Sequence, residues 1–122
     1  MSVVTSIIII FPRSEYVSER IKEVNEFEFK GKKYDFHWID NDTDPDNGSN
    51  CYSGTKVFNS VILMASYNNF PIDSFLNHMS SMVKWEYEAA VQVLINSEDT
   101  NDMSFKIYSY AGRVLVSDSL KF

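Results

Sequence analysis

The stretch Val3-Val4-Thr5-Ser6-Ile7-Ile8-Ile9-Ile10-Phe11 constrains the fold more than any other part of the chain. Side chains branched at Cβ crowd a helix and fit a pleated strand. Apolar residues at both parities predict a central strand covered on both sides, and Pro12 ends it. A strand of this kind cannot stand alone. The remaining residues must supply its neighbours and its cover.

They supply two helices and several more strands. Ser14 is placed to cap a helix running to Asn25, with Glu15 in its first turn. Val17, Ile21 and Val24 fall at i, i+4 and i+7 and form its buried stripe. Residues 27–39 read as a hairpin turning at Lys30-Gly31-Lys32. Phe27 and Phe29 alternate with Glu26 and Glu28; Tyr34, Phe36 and Trp38 alternate with Asp35 and His37. A long polar loop, 41–55, leads to a strand over 56–67 that is again apolar on both faces at Val61-Ile62-Leu63-Met64. Pro71 opens a second helix with a stripe of Phe75, Leu76, Met79, Met82 and Val83. Strands over 87–95, 104–110 and 113–117 complete a meander, with a turn at Ala111-Gly112.

The predicted order is β-α-β-β-β-α-β-β-β in one domain spanning 1–122. The fold class is α+β: a two-layer sandwich with a mostly antiparallel sheet and two helices on one face. A ferredoxin-like βαββαβ core with an extra hairpin satisfies that order. The order of strands within the sheet stays open at this level.

Chemistry is sparse. The two histidines, His37 and His78, have no Cys or His at ligand spacing, and both are expected on polar faces. The single cysteine, Cys51, permits no intrachain disulfide and sits in an acidic loop, which makes a poor nucleophile. The four glycines are scattered, so no phosphate-cradling loop forms. Asp40-Asn41-Asp42-Thr43-Asp44-Pro45-Asp46-Asn47-Gly48 begins like a calcium loop but puts Pro45 where the turn glycine belongs and Cys51 where the bidentate Glu belongs. The expectation is therefore no catalytic set, no metal and no cofactor. The run 7–11 is too short for a bilayer span or a signal core, and no Lys or Arg precedes it. A cytoplasmic protein without membrane contact is expected.

Charge carries more information. The net charge is −6, and the only basic cluster is Lys30, Lys32 and Lys33 at the hairpin tip, so direct nucleic-acid binding is not expected. Ten of the 17 acids lie in two stretches free of Lys and Arg. The first holds Asp35, Asp40, Asp42, Asp44 and Asp46; the second holds Glu86, Glu88, Glu98, Asp99 and Asp102. Trp38, Tyr52, Trp85 and Tyr87 lie in or beside them. Acids that speed encounter and aromatics that hold the complex fit a basic protein partner. The expected partner-binding residues are Asp40, Asp42, Asp44, Asp46, Tyr52, Trp38, Trp85, Glu86, Glu88, Glu98, Asp99 and Asp102.

In size, charge and style the chain resembles the immunity proteins of bacterial contact-dependent inhibition and other polymorphic toxin systems. That resemblance implies binding to a cognate toxin domain, often a basic nuclease, and neutralising it. It rests on no motif, so no residue is carried over. Phage-encoded inhibitors of host defence share the profile. A small-molecule-binding domain lined by Tyr34, Phe36, Trp38, Tyr108 and Tyr110 is a third reading, and a structural subunit that dimerises through a strand edge is a fourth.

Overall fold

The isoleucine-rich strand, β1 (Val4–Pro12), lies inside a six-stranded sheet and is paired antiparallel on both sides. On one side it runs against β5 (Ser60–Asn68) from Val4↔Asn68 to Pro12↔Ser60. On the other it meets β6 (Gln92–Ser97) from Thr5↔Ser97 to Ile10↔Gln92. The computed structural model describes residues 3–39, 59–98, 105–112 and 114–117. The sheet is completed by β4 (His37–Trp38) beside β5, and by β7 (Lys106–Ala111) and β8 (Val114–Ser117) beyond β6. Every neighbouring pair is antiparallel.

Helix α1 (Val17–Asn25) follows β1, and α2 (Ile72–Ser81) follows β5. In the sequence β1-α1-β4-β5-α2-β6, the strands lie side by side as β6-β1-β5-β4, which is the split βαβ arrangement. The β7–β8 meander extends it on the β6 side. The mostly antiparallel α+β sandwich with two helices is therefore the fold.

The core sits between one face of the sheet and the helices. Thr5, Ile7, Ile9 and Phe11 of β1 are buried, and the intervening residues are half-buried. Val17 and Val24 of α1 join them, as do Phe75 and Met79 of α2. β1 is thus central, as expected, but it is not buried equally on both faces. Ile8 and Ile10 are shielded by same-face neighbours, Met64 and Leu94 opposite Ile8 and Ile62 opposite Ile10. Neither belongs to the core cluster.

Three local expectations change. The Ser14 hydroxyl accepts from the Tyr16 N–H at 3.1 Å, a turn two residues on, and the helix begins at Val17. The 27–39 hairpin divides. Glu28–Phe29 (β2) and Lys32–Lys33 (β3) form their own ribbon, and the chain then crosses to the main sheet at β4. The alternation survives, with Tyr34 and Phe36 buried and Asp35 and His37 exposed, but the pairing partner changes. The Phe36 N–H turns to the Asn25 side chain at 2.8 Å. Lys30 (φ 50) and Gly31 (φ 79) give the ribbon a two-residue turn with both central residues left-handed, the geometry that matches strand twist. Finally, the strand expected over 87–95 starts only at Gln92, because Glu88–Ala90 wind into a 3-10 turn.

Candidate functional site

The segment joining α2 to β6 is held at two points. The first is Trp85, which is buried, with its ring 4.8 Å from that of Phe11. Its Nε1–H donates to the Tyr110 hydroxyl at 2.6 Å, and that hydroxyl donates to the Met79 carbonyl at 2.7 Å. Burial pushes the Tyr110 hydroxyl well above the usual tyrosine range. Tyr110 thus ties β7 directly to α2, and Trp85 is fastened to that link.

The second point is Arg20 on α1, whose side chain is only 11% exposed. It pairs with Glu23 at 3.1 Å, donates to the Lys84 carbonyl, and lies 3.5 Å from the Glu86 carboxylate. Its Nε has no hydrogen-bond partner of its own among the described residues, so the Glu86 charge is its main compensation. Glu23 also accepts the Lys84 N–H at 3.1 Å. His78 hydrogen-bonds to the Glu23 carbonyl at 2.8 Å and lies against Phe27, ring centres 5.3 Å apart. His78 therefore faces α1, not the polar side expected for it. The i, i+3 and i+4 spacing that puts it beside Phe75 and Met79 explains the difference.

Directly after these anchors, Tyr87 points outward. At 67% exposure it is the most exposed large apolar side chain among the described residues. Glu86 precedes it and Glu88 follows it. Tyr16 and Met82 are exposed as well. An exposed aromatic flanked by carboxylates, on a backbone anchored at residues 84–86, has the make-up of a binding anchor, since little backbone freedom there remains to be lost.

The expected partner-binding residues fare unequally. Trp85 is a correction: it is a core residue, because its indole finds both an apolar bed and an acceptor inside. Trp38 is half-buried, packed on the core opposite Leu63, with the Arg13 guanidinium 5.7 Å above its ring. Glu86 is engaged by Arg20, whereas Glu88 opens the 3-10 turn. Glu98 lies at the far end of β6, where its carboxylate accepts the Val4 N–H at 3.3 Å. Asp40, Asp42, Asp44, Asp46, Tyr52, Asp99 and Asp102 lie outside the described residues, as do Cys51 and the calcium-like loop. Tyr87 was not among the expected site residues. It shares parity with Val91, Val93 and Ile95, so alternation alone would bury it; the 3-10 turn turns it out.

The aromatic set of the small-molecule reading is largely committed to packing. Phe36 stacks on Phe75 at 5.2 Å, Tyr34 meets Phe70 edge-on at 5.1 Å, and Tyr110 is tied to Trp85. Among the described residues no three His, Cys, Asp or Glu side chains gather where they would hold a metal ion. No described helix is long and apolar enough to cross a membrane. Comparison with protein-family models, curated proteins and solved structures gives no match.

Proposed function

We propose that the chain is a non-catalytic binding protein whose partner is a basic protein domain, and that it acts in the cytoplasm as an immunity protein against a toxin, most simply a nuclease. The observation that carries the reading is Tyr87, exposed between Glu86 and Glu88 on a segment anchored by Trp85 and Arg20. The net charge of −6 gives long-range attraction for a basic partner. An exposed aromatic on an anchored segment supplies the short-range part, which in protein interfaces is concentrated in few residues.

The test is capture of partners from lysate of the source organism at low and high salt, followed by kinetics on the purified pair. One stoichiometric basic partner is expected, with association slowed by salt. Tyr87→Ala should raise the dissociation rate by about 30-fold, the loss of roughly 2 kcal/mol typical of an anchor. Capture of nothing at either salt, or a Tyr87→Ala complex that dissociates at the wild-type rate, removes the reading.

A further inference from the structure

The six strands of the main sheet contain no Asp, Glu or Arg and a single Lys, Lys106. Lys106 stands opposite Ile95, on the inner face with the core. Among the described residues the strands therefore place no Asp, Glu, Lys or Arg on the outer face, and His37, opposite Met64, is its one titratable side chain, in a chain with 23% charged residues. Register aligns its apolar residues into rows across the strands. Met64, Ile8, Leu94 and Ile107 form one row, and Ile62 and Ile10 lie in the next. None of them belongs to the core cluster or packs against it. Met64 is 41% exposed in the first row.

We infer that this face docks on the same face of a second copy of the chain, forming a two-fold dimer of packed sheets. Charge selects the occupant. A basic partner would have to bury Lys or Arg against isoleucine with no acid to pair, which is costly. The occupant must be largely apolar and free of acid and base, and the chain's own outer face offers that: two apolar rows bordered by the neutral polar residues Ser6, Ser66, Asn96, Gln92 and Ser109, with His37 at the edge. A two-fold axis lays isoleucine rows on isoleucine rows and brings no described acid or base into the contact. Size agrees as well. Six strands spaced about 4.8 Å apart, averaging about six residues at about 3.3 Å each, give a footprint of about 600 Å² before side-chain relief. A standard stable interface buries about 800 Å² per partner. The Tyr87 segment, on the helix side, stays outside this contact, so the inference stands whether or not the partner reading does.

The test is sedimentation equilibrium of the full chain up to about 100 µM, where mass action favours association. A mass of twice 14.1 kDa is expected. It should persist at high salt, because apolar burial is not screened and the like-charge repulsion is. Met64→Lys, at an exposed position, should weaken dimerisation at least 10-fold while leaving the circular dichroism unchanged. Val116→Lys, 43% exposed on the same face, is the second variant should the first not fold. A mass of 14.1 kDa at the highest concentration overturns the inference, whether the face is then covered by another part of the chain, by another protein or by water. So does a dimer that both folded lysine variants leave intact.

Discussion

Replacing Tyr110 by Phe removes one oxygen and breaks two bonds. The Trp85 Nε1–H loses its acceptor, and the Met79 carbonyl loses its donor. Trp85 is 8% exposed and Met79 fully buried, so water replaces neither partner well. Each buried group left unpaired costs about 1–3 kcal/mol, offset in part because Phe prefers the interior to Tyr. The expected net loss is about 2 kcal/mol. An unfolding entropy of about 2.1 cal/mol/K per residue gives roughly 0.26 kcal/mol/K for a chain of 122 residues, so Tm should fall by about 8 °C. The assay is urea unfolding followed by tryptophan fluorescence, repeated with pH. Burial holds the Tyr110 proton above the usual pKa of 10.0 in the folded state. Past that value the unfolded chain releases a proton that the folded chain keeps, so wild-type stability falls as pH rises. The Phe variant lacks this group. Tyr67 and Tyr108, also raised chiefly by burial, are common to both proteins and cancel. The stability gap should therefore narrow between about pH 9 and about pH 11. A neutral-pH difference below about 0.5 kcal/mol, or a gap that does not change with pH, refutes the argument. In a Trp85→Phe background, Tyr110→Phe should cost less than it does alone.

Two further perturbations are expected to behave as follows. Glu23→Ala removes the acceptor shared by Arg20 and the Lys84 N–H and leaves Arg20 with Glu86 as its one described ion-pair partner beside the Lys84 carbonyl; it should cost about 2 kcal/mol, read as a lower urea midpoint at unchanged slope, and speed hydrogen exchange in residues 84–88. Gly112→Ala should lose about 1 kcal/mol in the same assay, because φ is +69° and a Cβ there meets nothing within 4 Å, so backbone strain acts without a clash.

Periodicity found the elements and misjudged some of their surroundings. The stripes Val17-Ile21-Val24 and Phe75-Met79-Val83 do face the core, and the alternation at Tyr34, Asp35, Phe36 and His37 is real. A heptad or a pleat is a local quantity, and these positions are governed locally. Met82, on the predicted stripe, is instead exposed, because α2 has ended at Ser81. Trp85 and Tyr87 share parity and have opposite fates. One has Phe11 and Tyr110 waiting, from residues 74 and 25 positions away, and the other stays 67% exposed. Arg20 and Glu86 belong to different segments, and no spacing rule joins them. The acidic loop, which weighed most in reading the sequence, lies outside the described residues, so the described site rests on Tyr87, Glu86 and Glu88.

The central place of β1 also shapes how the chain must fold. Its partners on either side come from residues 60–68 and 92–97, and the nearest pairing, Pro12↔Ser60, already closes a long stretch of chain. Loop-closure entropy must therefore be overcome before either ladder of β1 is rewarded, although β7–β8 and β6–β7 can pair locally, and such topologies fold slowly. During synthesis, at about 5–20 residues per second, the isoleucine strand waits several seconds for both neighbours. Throughout that interval its edges and both faces are open to any other unpaired strand. The most insistent strand signal in the sequence is thus also its main aggregation hazard, and the yield of folded protein should depend on how well that interval is chaperoned.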